Sequence, residues 1–272
     1  MAGAAGSIGR VLGPGLVARG HEVVGVDLPG RGADLTADLT DPAAAEEVVA
    51  EVRPDAVVHL AGIPDERSLP ESLHSHVVST AALLEALVRH DVRRLVYASS
   101  NHAVGRYSRG DGDLGVNTLP RPDTFYGVGK VAAEALLRLY VDRHGIDVVA
   151  TRIGSFLPTP TSRRHLATWL SHDDAVRMFE AALTTPSPGY AVLYGISANT
   201  RAWWDLEPGR ALGYDPQDDA EGWAVDLETL PRTPEDDDEA TFVGGPFATP
   251  RFERGAFDDV DQAGLTSSPL EG

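Results

Sequence analysis

Apolar residues are grouped in two ways along this chain. Short apolar runs fall at residues 22–27, 56–60, 94–98, 147–151 and 191–194, and each reads as a buried strand. Between them lie longer stretches with helical spacing. One runs to about Arg19 and stops at Gly20, and another opens at Asp41-Pro42 and continues to about Val52. Others cover residues 71–90, Tyr126 to His144 closed by Gly145, and Ser171 to about Leu183. Asp41 and Ser171 suit N-caps, Pro42 suits a first turn, and the glycines suit helix stops. Strands alternating with helices predict an α/β fold: a doubly wound parallel sheet with right-handed crossovers. Ligands of such sheets sit beyond the carboxyl ends of the strands. The polar clusters after residues 60, 98 and 151 fall there, which makes Leu60, Ala61, Gly62 and Ile153 candidate ligand contacts.

Residues 105–124 and 156–168 read as loops, the second carrying Arg163, Arg164 and His165. Beyond about residue 215 the chain turns acidic and proline-rich. The run at residues 235–239 is a solvated charge cluster, and a disordered tail is expected. A single domain over residues 1–272 follows, with substrate elements at about 155–215 and an acidic, partly flexible tail from about 228. No internal repeat is visible.

Gly3, Gly6 and Gly9 open the first helix with Ser7 and Ile8 between them. Glycines there let a backbone approach a pyrophosphate, and a helix N-terminus favours its charge. Asp27 ends the next strand, where an acid can take the ribose hydroxyls and disfavour a 2′-phosphate. NAD is therefore expected over NADP, with Arg31 close enough to leave some NADP use open. Asp38, Leu39, Leu60, Ala61, Gly62, Tyr126, Lys130 and Ile153 complete the candidate cofactor contacts. In a Rossmann-like sheet a buried strand precedes the glycine loop, but here only Met1-Ala2 does. The central first strand is thus expected to be missing, with an upstream start the favoured explanation over a truncated, poorly stable product. Such a loss would expose two ladder edges and remove one wall of the cofactor cleft.

The formal net charge is -18, a field that repels nucleic acid and anionic membranes. An anionic small substrate would need a local basic patch. No apolar run approaches a membrane span and no signal pattern opens the chain, so a cytoplasmic protein is expected, with a homo-oligomer left open. There are no cysteines, which excludes disulfides and thiolate metal sites. Of the 23 basic residues all but Lys130 are arginine, which suggests a task at residue 130 that a guanidinium cannot perform.

That task has a candidate. In Tyr126-Gly-Val-Gly-Lys130 the two side chains stand four apart on one helix face. Tyrosine ionises near 10, and lowering that by about three pH units requires about 4 kcal/mol. A cation some 4 Å away supplies about 4 kcal/mol at an effective dielectric near 20. Lys130 would make Tyr126 a proton acceptor, and Ser100, at the end of the preceding strand, could hold the reacting oxygen. The plainer alternatives are a loop serine satisfying nearby backbone and a structural histidine at His102.

Taken together, residues 3–9, 99–102 and 126–130 resemble the extended short-chain dehydrogenase/reductase family. The additional stretches Arg152-Ile-Gly-Ser155, Arg164, 168–174 and 195–199 with Trp203-Trp204 look like its uronate dehydrogenases. The resemblance covers most of residues 3 to about 220, and weakly the segment beginning at Phe242. It implies a Rossmann-like fold with a small C-terminal substrate lobe, and Tyr126 as base with Lys130 and Ser100. Asn101, His102 and Ser155 would contact sugar hydroxyls, and Arg164 would hold a carboxylate. The implied reaction is NAD-dependent oxidation of the anomeric carbon of galacturonate or glucuronate to an aldarolactone. No metal is implied; Asp173 and Asp174 look like capping residues. One departure is Pro64, which stands where this family tends to carry a serine and cannot donate that hydrogen bond, so substrate preference is open to change. The alternatives are a nucleotide-sugar epimerase or dehydratase, and a non-catalytic NAD-binding sensor.

Overall fold

The structure is a computed structural model that describes residues 1–111, 114–232, 236–237 and 240–258. The chain runs through α1 (Ser7–Ala18), β1 (Val26–Asp27), β2 (Leu35–Thr36), α2 (Pro42–Val52) and β3 (Val57–His59). It continues through α3 (Leu69–Leu73), a π-helical turn (His74–Val78), α4 (Ser79–Arg89), β4 (Arg94–Ser100) and α5 (Phe125–His144). Then come β5 (Asp147–Ile153), β6 (Ser155–Phe156), α6 (His165–Thr168), β7 (Trp169–Leu170), α7 (His172–Thr184) and β8 (Tyr190–Gly195).

β3, β4, β5 and β8 form a parallel sheet in that order, and β1 pairs in parallel with β2. One side of the sheet packs beneath α1 and α7, the other beneath α2, α4 and α5. The two sheet fragments meet at the position where a strand was expected to be missing. Ala2 donates to Val58 O at 2.9 Å and accepts from Leu60 N–H at 2.9 Å, while Val26 N–H donates to Met1 O at 2.8 Å. The first two residues thus stand between β1 and β3 and bond to both sides, so the ladder is continuous there.

The sequence reading needs adjustment at several ends. Of residues 22–27 only Val26 and Asp27 are ladder-paired, Val26 with Leu35 and Ala2, and Asp27 with Thr36. β4 and β5 run two residues further than expected, so Ser99 and Ser100 are strand residues and Ile153 lies opposite Ser100. The expected 156–168 loop contains the end of β6 and α6. Asp174 is more than a cap: fully buried, its carboxylate accepts from Gln217 N–H at 2.8 Å and Asp218 N–H at 3.0 Å, anchoring the chain beyond β8. Most of the 235–239 charge run, and the tail beyond residue 258, lie outside the described residues. Among the described residues no helix is long and apolar enough to cross a membrane.

Candidate active site

The glycine loop folds tightly between β1 and β3. Gly3 has φ +79°, and a Cβ there would lie 2.6 Å from Ala61 N, so the loop presses directly on the 60–62 segment. Gly6 is the N-cap of α1 and no side chain caps it. The first-turn amides of Ser7, Ile8 and Gly9 therefore face outward with the positive end of the helix. Asp27 is clamped beside them, accepting from Ala5 N–H and Leu28 N–H, each at 2.8 Å, with Arg31 Nε at 4.0 Å. Asp38 closes a turn onto Thr40, and Leu39 is buried against Ala2, Ala45 and Ala82 as a wall beneath the loop. Uncapped amides beside a fixed acid suit the pyrophosphate and ribose of NAD. Asp27→Ala removes a charged acceptor worth about 1.5–3 kcal/mol. The KM for NAD is expected to rise by about one order of magnitude, with the NAD-to-NADP preference reduced. Steady-state kinetics with both nucleotides check this, and an unchanged preference would count against the assignment.

The start of α5 is fixed from two directions. Thr124 accepts from Gly127 N–H at 3.1 Å, and the Glu66 carboxylate accepts from Phe125 N–H and Tyr126 N–H, each at 2.9 Å. The glycines within Tyr-Gly-Val-Gly-Lys allow close packing. A Cβ at Gly127 would lie 2.5 Å from His102 O, and one at Gly129 would lie 3.1 Å from Ser72 O. Tyr126 is half-buried, with His76 edge-on at a ring separation of 5.1 Å and His102 at 5.8 Å. Lys130 is buried, donates to Ala98 O at 2.8 Å, and has its Nζ 5.5 Å from the Tyr126 ring centre. Ser100 stands beside the Tyr126 phenol and opposes the upward push of burial on it, and it accepts from His102 N–H at 3.2 Å.

The electrostatics differ from the simple ammonium–phenol picture. Burial pushes Tyr126 up to about 12 and Lys130 down to about 7. The same burial holds His59 at about 3 and His76 at about 2. Withdrawal from water penalises every charged form here, so Lys130 does not by itself acidify the phenol as expected from the sequence. The site holds a neutral phenol beside an amine balanced between its two states at neutral pH.

The remaining candidates border the same mouth. Asn101 is buried, and its Nδ2 has no protein partner among the described residues, which leaves a donor for a ligand. His102 Nδ1 hydrogen-bonds the buried Asp123 carboxylate at 2.8 Å, and its ring packs on Phe247 at 4.3 Å. Arg164 donates to Ser155 Oγ at 3.0 Å and to Val243 O at 2.7 Å. Gly245, at φ +61°, passes so close to this guanidinium that a Cβ would lie 2.3 Å from Arg164 Nε. Val243 and Phe247, four residues apart on one strap, thus touch Arg164 and His102 respectively. Arg164 also donates to Thr168 Oγ1 at 3.2 Å. Glu66 and Asp123 were not identified from the sequence, and Thr168 and the strap only as parts of the resembling stretches, without a role. Arg163, the neighbour of Arg164, instead donates to Glu228 O at 2.9 Å.

Residues 1–172 match the family described as the NAD dependent epimerase/dehydratase family. The chain is 37% identical over 255 residues to a uronate dehydrogenase of Pseudomonas putida, covering 91% of this chain and 94% of that protein. A solved mutated uronate dehydrogenase superposes with a TM-score of 0.87 at 35% identity, over 97% of this chain and 95% of that one. A tyrosine-to-alanine mutant of the Agrobacterium tumefaciens uronate dehydrogenase, complexed with NAD, gives 0.84 at 36% identity, over 93% and 97%.

Proposed function

We propose that this chain, which belongs to the NAD dependent epimerase/dehydratase family, is an NAD-dependent dehydrogenase that oxidises the anomeric carbon of a uronic acid to an aldarolactone. The observation that carries this reading is the fixed guanidinium of Arg164. It is tied to Ser155 and, through the strap at residues 243–247, lies across the mouth from His102 and Tyr126. A planar fork held in this way suits a carboxylate, and it supplies the local positive charge that a chain of net charge -18 needs to hold an anion.

The reaction asks the protein for three services. The C1 hydroxyl of the cyclic uronate must be held, its proton accepted, and the ring oriented. Ser100 and Tyr126 stand side by side where the hydroxyl would be held. Tyr126, having first released its own proton to solvent, accepts the hydroxyl proton as the C1–H bond breaks, and the ammonium form of Lys130 stabilises the phenolate before that transfer. NAD, held by the glycine loop and Asp27, would supply the hydride acceptor. Asn101 Nδ2, His102 and Ser155 supply polar groups for ring hydroxyls, and Arg164 holds the carboxylate at the far end.

NADH formation in the presence of galacturonate or glucuronate tests the reading. Turnover with either acid, and little with the matching neutral sugars, is expected. Absence of NADH with both acids, or turnover of a nucleotide sugar instead, would overturn it.

A further inference from the structure

Beneath the active-site floor lies a charged cluster that the proposed chemistry does not use. Glu134 is one helical turn beyond Lys130 on α5 and is buried. Its carboxylate accepts from Arg152 Nε at 3.0 Å and Arg152 Nη2 at 2.8 Å, a bidentate pair with both side chains withdrawn from water. It also accepts from the Ser99 hydroxyl. Ser99 lies between Ser100, which stands beside the Tyr126 phenol, and Ala98, whose carbonyl accepts from Lys130 Nζ at 2.8 Å. One carboxylate therefore ties the end of β4 to the helix carrying Tyr126 and Lys130.

We propose that Glu134, locked by Arg152 and Ser99, is a positioning residue that keeps Lys130 aimed and charged beneath Tyr126. This rests on the proposed dehydrogenase reading for its catalytic consequence, but not for its effect on Lys130. Apolar residues of similar volume often replace buried ion pairs without loss of stability, so stability alone gives a weak reason for this one. The groups around Lys130 are the His59 imidazole from β3, the His76 imidazole from the π-helical turn, and the Tyr97 phenol from β4. Tyr126 and Glu134 complete the set from α5 itself. Both imidazoles are held neutral by burial, and the phenols are pushed up. Glu134 is thus the group that favours the ammonium, opposing the burial that disfavours it. Arg152, further along the same contact, tempers the carboxylate and fixes its direction.

The sole lysine makes this directly measurable. Protein labelled with 13C at lysine Cε gives one side-chain resonance, that of Lys130. In Glu134→Gln, which preserves shape and the Ser99 contact, the Lys130 titration midpoint is expected to fall by about one pH unit. The pH profile of kcat should move to higher pH, because a neutral amine no longer favours the phenolate. At pH 7, kcat should be about tenfold lower, with the KM values for NAD and uronate changed by less than about twofold. If Glu134→Gln alone leaves Arg152 unpaired and the chain does not fold, Glu134→Gln with Arg152→Met removes both charges, and the midpoint should still fall, by a smaller amount, because the carboxylate nearer Lys130 is lost together with the farther guanidinium. An unmoved Lys130 midpoint in a folded variant overturns the proposal. A moved midpoint in a chain that never oxidises uronates supports the proposal and instead defeats the dehydrogenase reading.

Discussion

Tyr126→Phe is expected to lower kcat for uronate oxidation by about three orders of magnitude, the scale of a lost general base. The ring would remain, and with it the edge contacts to His76 and His102, so the pocket keeps its shape. What goes is the hydroxyl beside Ser100. NAD affinity should be nearly unchanged, because the glycine loop and Asp27 are held by separate contacts. Rapid-mixing measurements of NADH formation, with nucleotide binding followed by fluorescence, separate the two quantities. A Tyr126→Phe enzyme that keeps the wild-type kcat would end the assignment of this phenol as the base.

The second large effect is expected at Arg164. Arg164→Ala should raise the KM for uronates by about two orders of magnitude, the scale of a lost charge-assisted hydrogen-bond pair. Its effect on kcat should be smaller. Arg164 also anchors Val243, so the measured loss includes any loosening of the strap. The neutral sugar galactose resolves this, since it lacks the carboxylate and feels only the loosening. The expected pattern is a collapse of the preference for galacturonate over galactose. An unchanged ratio of kcat/KM values would remove the carboxylate role. Arg164→Lys should recover only part of the preference, because a point charge does not reproduce a planar fork.

Those features that depend on neighbouring residues were legible in the sequence. Asp41 and Ser171 cap helices as their spacing indicates, and Gly145 closes α5 at φ +65°. The Tyr126–Lys130 pair and the Gly3–Gly9 loop were visible because each lies within one turn or one helix start. Contacts between distant residues were not. Arg254 donates to the carbonyl of Glu66, 188 residues away, and no local spacing announces that Glu66 will cap α5. The pairing of Ala2 with both Val58 and Leu60 was missed for a different reason. Two residues carry no periodicity to read, yet two residues are enough to join a ladder. Burial, which raises Tyr126, is a property of the packed fold and could not be read from the spacing of Tyr126 and Lys130.

The strap carries a consequence in time. Its residues bond back to Tyr107, Gly105 and Arg164, and Ala256 O accepts from Leu69 N–H beside the helix that follows Glu66. Sheet and helices up to β8 can gather while synthesis is still under way, since domains settle from the N-terminal side as they emerge. The pocket wall formed by Val243 and Phe247 emerges only after the whole sheet has been made. A nascent chain stalled short of residue 240 would therefore hold a nucleotide cradle and a tyrosine, but no closed seat for a sugar acid. Catalytic competence should arrive only once the strap has emerged and docked.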